Sequence, residues 1–321
     1  MNIIKNGSQG ILLPELNIAF DHSGGNAKYT FISHAHTDHM PHSRYAEVYC
    51  TPNTQKLMTK RGYQGTSTVL RFGQPLETDR ARVTFYPAGH ILGSAMIFVE
   101  SEAGSVLYTG DYRRPPSPVT EGFELPVQPV NHFITEATFS LPIYKWKAPD
   151  QLAEEVRKFA LETLNDDSTP VFLGYDLGKT QELMHMLAPT GLPLKIRSKA
   201  ADLCPIYEQA GFNLGNYEPY QPNYNKDKVL ITTRTALNNG FAPELEKKVA
   251  YCSGWAVRMK NRTQMKADQF IPLSDHLDFF ELISICKKLN PQKVHITHTP
   301  NPTVVQHYLN QLAIKSRFLG E

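Results

Sequence analysis

His34-Ala35-His36-Thr37-Asp38-His39 sets three imidazoles and a carboxylate within six residues, directly after the strand-like run Tyr29-Thr30-Phe31-Ile32-Ser33. In an extended segment side chains alternate, so His34 and His36 point to one side of the chain and can reach one ion. A turn just beyond them would aim Asp38 and His39 at a second ion. Two ions roughly 3.5–4 Å apart are the usual apparatus for displacement at phosphorus. Histidine tracts that chelate metal adventitiously lie in polar, flexible segments. This one abuts an apolar strand, which favours a built site.

Four ligands do not complete two metal sites, so the others must come from elsewhere in the chain. Pro87-Ala88-Gly89-His90-Ile91-Leu92-Gly93 follows the alternating strand Arg82-Val83-Thr84-Phe85-Tyr86 and places one histidine between two turn-permitting glycines. Ser105-Val106-Leu107-Tyr108-Thr109-Gly110-Asp111 is a second apolar strand and ends on a carboxylate. A carboxylate suits the middle of a two-cation site, because each ion offsets the repulsion between the other's ligands.

The order Asp21, histidine cluster, His90, Asp111 resembles the metallo-β-lactamase superfamily. Phe133-Ile134-Thr135-Glu136-Ala137-Thr138 is similar to motif A of its β-CASP nuclease branch, in which a second domain interrupts the core. Ser274-Asp275-His276-Leu277-Asp278 resembles motif B, and Val294-His295-Ile296-Thr297-His298 resembles motif C. Thr299-Pro300 follows His298 where that branch usually has glycine, so the backbone there is expected to turn differently. Glu136 to Trp146 and Ser253-Gly254-Trp255 look like the bacterial DNA-ligase-associated exonucleases. The resemblance covers nearly the whole chain.

The resemblance implies a mixed α/β (α+β) fold: a metallo-β-lactamase αββα sandwich from residues 1–146 and 257–321, with a parallel α/β β-CASP domain inserted over 147–256. It implies two divalent ions, zinc or manganese. The first would be held by His34, His36 and His90 and the second by Asp38, His39 and His298, with Asp111 bridging and Asp21 orienting a ligand histidine. Hydroxide generated between the ions would attack phosphorus in line. Asp38 and Asp111 then serve catalysis as well as binding. His276 is the expected proton donor to the leaving alkoxide, and Glu136 beside it would favour its charged form.

The reaction class that follows is phosphodiester cleavage, with DNA as the expected substrate. The function would be an exonuclease in repair, associated with a DNA ligase and a helicase. An RNA nuclease of the same branch is the alternative, since its RNA-cleaving members keep the motif C histidine. Candidate substrate contacts are Thr138, Lys179 at a helix start, Trp255, and Arg258 and Lys260 in a basic run that continues to Arg262 and Lys266. Arg197 with Lys199 forms a smaller basic pair. Tyr144 and Trp146 are candidates for stacking on a base. His22, His42, His132, His185, His295 and His307 have no metal-like spacing and receive no role.

Composition agrees with this picture without requiring it. The 321 residues exceed what one core usually holds. With 33 basic and 31 acidic residues, net +2, nucleic-acid contact must come from a local patch rather than bulk charge. Cys50, Cys204, Cys252 and Cys286 form no CxxC pair and read as buried thiols of a reducing cytoplasm. The short apolar stretch Ile11-Leu12-Leu13, broken by Pro14-Glu15, fits neither a signal peptide nor a membrane anchor.

The first 140 or so residues are strand-rich, with turn signals at Gly24-Gly25, Gly73-Gln74-Pro75 and Ala103-Gly104. From Asp150, placed as a helix cap, the pattern alternates helix and strand: a helix to Leu164, strand 170–174, a helix from Gly178-Lys179, and strands 228–232 and 248–252. This is the pattern of a parallel βαβ domain. Strand 270–273 is expected back in the first core, followed by a helix from Asp278 to Leu289.

Overall fold

Strands whose two faces are both buried read as near-continuous apolar runs, and the central strands of this protein are of that kind. The computed structural model describes residues 1–6, 10–22, 27–41, 47–221, 228–243, 245–258 and 266–319. The Gly24-Gly25 turn signal, His42, Lys260 and Arg262 lie outside the described residues. The described chain divides into two compact units, one of Met1–Lys145 with His276–Glu321 and one of Trp146–Asp275.

The first unit holds two sheets. One runs in the order Ile4–Asn6, Gly10–Leu13, Ile18–Phe20, Tyr29–Phe31, Glu47–Cys50, Thr66–Val69. The other runs Ser316–Phe318, Lys293–Thr297, His132–Glu136, Gly104–Tyr108, Ala95–Ser101, Arg82–Pro87, Leu76–Glu77. The period of two decides how they pack. In Ala95–Ser101, the residues Ala95, Ile97 and Val99 join Phe20, Phe31 and Phe85 in the core between the sheets. The alternate residues Met96 and Phe98 join a second core with Leu282, Ile285, Val305 and Leu309. Those four come from helices Phe279–Leu289 and Pro302–Gln311, which cover the outer face of the second sheet. Each fully buried Leu, Ile or Phe contributes about 1.5–3 kcal/mol of transfer free energy, so the sheet is held from both sides.

The second unit is a six-stranded sheet in which every pairing is parallel, ordered Tyr217–Pro219, Leu194–Ile196, Val229–Thr232, Thr169–Leu173, Lys247–Cys252, Gln269–Ile271. The expected helices occur as Pro149–Asn165 and Lys179–Leu187. Asp150 lies in the first turn and is not the cap, because Pro149 already occupies the first helical position, where a missing N–H costs nothing.

One boundary falls later than the sequence pattern indicates. Gln269–Ile271 pairs with Lys247–Cys252 instead of returning to the sandwich, so the first unit resumes at His276 and not near residue 257. An apolar strand of three residues carries no local mark of which sheet it will join. Among the described residues no helix is long and apolar enough to cross a membrane.

Candidate metal centre

The candidate ligands sit at the carboxyl ends of strands in the first unit. Asp21 follows Ile18–Phe20, His34 and His36 follow Tyr29–Phe31, and His90 follows Arg82–Pro87. Asp111 follows Gly104–Tyr108, Glu136 ends its strand, and His298 follows Lys293–Thr297. The turn expected after His36 forms, with the His39 amide donating to the His36 carbonyl at 3.0 Å. Residues more than 250 positions apart in sequence are thereby brought to one end of one sandwich.

His34, His36, His90 and Asp111 each offer a ligand atom within 4.8 Å of the others. His36 Nδ1 lies 3.1 Å from His34 Nε2 and 3.1 Å from His90 Nε2. Asp111 Oδ2 is 3.6 Å from His34 Nε2, 3.7 Å from His90 Nε2 and 3.5 Å from His39 Nε2. The second expected set is looser. Asp38 is largely exposed, with its carboxylate 3.7 Å from His39 Nε2, and the His298 ring centroid is 6.3 Å from that of His39.

The outer nitrogens settle which lone pairs face inward. Asp21 Oδ2 accepts from Ser33 Oγ at 2.6 Å and from Tyr108 OH at 2.8 Å, and it lies 2.7 Å from His39 Nδ1. Having given its only proton to Asp21, the Ser33 hydroxyl accepts from His34 Nδ1 at 2.9 Å. His34 is thus the Nδ1–H tautomer, with its Nε2 lone pair toward Asp111. Metal-bound imidazoles are held in this way, one nitrogen fixed by an outer partner and the other at the ion. Among the described residues His39 Nε2 is buried and has no hydrogen-bond partner, an orphan whose lone pair, once the ring is neutral, a cation beside Asp111 would satisfy. The donor set of imidazoles and carboxylates therefore fits divalent ions.

Electrostatics act on the three groups in different directions. Burial, with neighbouring imidazoles, drives His34 well below the ordinary histidine range and keeps it in the neutral, ligating form. Burial opposes the charge on His39 as well, but the carboxylates of Asp111 and Asp21 outweigh it and raise its pKa well above the usual value, so His39 must release a proton before its Nε2 can hold an ion. Asp111 is held well below the carboxylate range, burial being overcome by His39 and His276.

A second cluster adjoins the first. His276 Nδ1 lies 2.7 Å from Glu136 Oε1, and the His276 ring centroid is 5.1 Å from that of His90. Asp111, Glu136 and His276 form a further close group. The other Glu136 oxygen accepts from the Thr138 amide at 3.1 Å and from the Thr138 hydroxyl.

Several expected substrate contacts are placed otherwise. The Thr138 hydroxyl is committed to Glu136. Lys179 is buried, its ammonium donating to the Leu273 carbonyl at 2.9 Å and lying 3.5 Å from Asp275, so it has no role in reaching a phosphate. Tyr144 is also buried, edge-on to Phe139 at 4.8 Å, and cannot stack on a base. Arg258 is exposed and Trp255 half-buried at the short helix Gly254–Arg258 in the second unit. After His298, whose φ is 43°, the Thr299 hydroxyl donates to Ser140 Oγ at 2.8 Å and accepts from the Asn301 amide at 3.1 Å. A side chain thus fastens the turn where glycine was expected.

Ser33 and Tyr108 are the site residues that sequence reasoning missed. Ser33 had a signal in its position beside His34, whereas the Tyr108 contact spans 87 residues and leaves none.

Comparison with known proteins agrees with this geometry. No family model matches the chain. It is 33% identical over 295 residues to a protein named "Probable DNA ligase" from Opitutus terrae, covering 91% of this chain and 28% of that protein. It is 24% identical over 320 residues to the mouse 5' exonuclease Apollo, covering 90% of this chain and 55% of that protein. An RNase J-like protein of Methanocaldococcus jannaschii is 25% identical over 174 residues, 48% of this chain and 41% of that one. The chain thus spans from about a quarter to about half of the length of these relatives. A crystal structure of an Enterococcus faecalis protein of unknown function superposes with a TM-score of 0.64 at 14% identity, over 93% of this chain and 81% of that one, and shares the fold. The chain belongs to the β-CASP branch of the metallo-β-lactamase nucleases. That family implies divalent metal ions.

Proposed function

We propose that the protein is a metal-dependent exodeoxyribonuclease of DNA repair, acting together with a DNA ligase and a helicase. The observation that carries this reading is the convergence of His34, His36, His90 and Asp111 beside the Glu136–His276 pair. A hydrolase of the same core acting on thioesters or lactams has no need of that pair, whereas a leaving alkoxide does. The resemblance to a protein named as a DNA ligase supports DNA as the substrate, and the resemblance to an RNase J-like protein keeps RNA as the alternative.

His34, His36 and His90 with Asp111 would hold one ion, and Asp111, His39, Asp38 and His298 a second, with zinc and manganese both suited to the donors. Bound ions supply Lewis acidity and neutralise charge on the phosphodiester. The chain's own groups do the rest. Asp21, Ser33 and Tyr108 fix the tautomers and orientations of His34 and His39. Glu136, itself held by Thr138, fixes Nδ1 of His276 and leaves Nε2 to deliver a proton to the leaving oxygen.

The test is incubation of the purified protein with end-labelled single- and double-stranded DNA and RNA, with zinc or manganese supplied. Progressive shortening of DNA is the expected result. Digestion of RNA with DNA left intact would overturn the assignment in favour of a ribonuclease.

A further inference from the structure

His298 stands just beyond strand Lys293–Thr297 with a φ of 43°, a left-handed conformation that a residue with a Cβ disfavours and keeps only where its surroundings over-determine it. On its amino side the strand supplies that constraint. Lys293–Thr297 pairs with His132–Glu136 on one side and Ser316–Phe318 on the other, and the buried Thr297 hydroxyl donates to the Thr135 carbonyl at 3.2 Å. On its carboxyl side the next helix begins only at Pro302, and the fastening falls to Thr299. The Thr299 hydroxyl donates to Ser140 Oγ at 2.8 Å and accepts from the Asn301 amide at 3.1 Å, while the ring of Pro300 fixes the φ between them. Ser140 is 1% exposed, so the anchor is sheltered from competing water. It lies four residues beyond Glu136, in the segment whose Thr138 already holds that carboxylate. One short segment thus supports both the Glu136–His276 pair and the turn that bears His298.

We propose that Thr299, anchored on Ser140, is a positioning residue that sets the affinity of the second ion through His298, an inference that rests on the reading of His298 as a ligand of that ion. A glycine at this position has no hydroxyl to make either bond. Groups that orient a ligand from behind typically contribute about 10- to 100-fold in metal affinity. The effect is selective for the second ion. The clasp joins Ser140, Thr299 and Asn301, whereas the first set is oriented from the other side, His34 being fixed through Ser33 and Asp21. Weakening the clasp therefore loosens one ion and spares its neighbour.

Calorimetric titration of the full chain with manganese, after metal is removed with EDTA and the chelator is exchanged away, tests it on wild type, Thr299→Val, Thr299→Ser, Ser140→Ala and His298→Ala. Thr299→Val keeps the shape of the side chain and removes its hydroxyl. Wild type is expected to show two binding steps, and the step lost in His298→Ala is that of the second ion. Thr299→Val and Ser140→Ala should weaken this step about 10- to 100-fold and leave the other unchanged, and Thr299→Ser should retain wild-type values. DNA cleavage by Thr299→Val should fall at limiting manganese and recover when manganese is raised, as lost affinity requires and lost chemistry does not. Loss of the second step in His298→Ala with both steps intact in Thr299→Val overturns the inference and leaves His298 a ligand. Both steps intact in His298→Ala overturns the ligand reading and the inference with it. Equal weakening of both steps in Thr299→Val would mean general loosening of the sandwich and also overturns it.

Discussion

At the scale of single residues, the centre depends on an oxygen that contacts no candidate ion. Asp21 Oδ2 gathers Ser33, His39 and Tyr108, and a φ of 46° at Asp21 turns the chain so that it can. Replacing Tyr108 by Phe removes one of these bonds from a buried carboxylate. It should lower metal affinity about 10- to 100-fold, measured by competition with a chromogenic chelator, while costing roughly 1–3 kcal/mol of stability. Gly110 is constrained from the same side, since its φ is 53° and a Cβ there would meet the Ser33 side chain. His276→Ala should reduce cleavage about 10²- to 10⁴-fold with metal content unchanged by elemental analysis. Loss of metal in that variant would make His276 a ligand and remove it as proton donor. The ligand run was legible because its spacing is local. Lys179 was misread as a phosphate contact because burial is not a local property: nothing near it in sequence shows that Leu273 and Asp275 will enclose it.

At the scale of elements, buried polar pairs tie the sheet to its edge strand. His295 Nδ1 accepts from Arg317 Nε at 2.9 Å, and its Nε2 lies 3.1 Å from His132 Nδ1 across the strand pairing. Since Nδ1 of His295 is an acceptor, Nε2 carries the proton and donates to His132. Burial, with the Arg317 charge beside it, holds His295 down to about 3. An unfolded histidine titrates near 6.5, so between these values only the unfolded chain takes up the proton and stability falls as pH falls. From pH 7 to pH 5 this costs on the order of 2 kcal/mol. Thermal melts of wild type and His295→Gln should therefore converge as pH drops from 7 to 5, and a constant gap would contradict the account. Helix Phe279–Leu289 illustrates what elements disclose in sequence: Asp278 accepts from the Glu281 amide at 2.8 Å and Glu281 returns the bond to Asp278, a capping box that reads directly as Asp-x-x-Glu. The destination of strand Gln269–Ile271 has no such signature.

At the scale of the whole molecule, the sandwich is assembled from both ends of the chain, with 130 intervening residues forming the second unit. The inserted parallel sheet was legible from its alternation of helix and strand, whereas its limit at Asp275 depends on a strand pairing that no spacing records. Because Asp111 approaches His34, His39 and His90 alike, removing it should empty the centre rather than weaken one contact. Stripping metal from the wild type should lower its melting temperature, since about 2.7 kcal/mol of stabilisation accompanies each ligand present at a hundred times its dissociation constant. The most direct measurement determines metal stoichiometry and DNA cleavage on the same preparations of wild type and Asp111→Ala. The account predicts about two divalent ions per chain and cleavage in the wild type, and loss of both in the variant. Undiminished cleavage by Asp111→Ala, or by metal-free wild type, would contradict it.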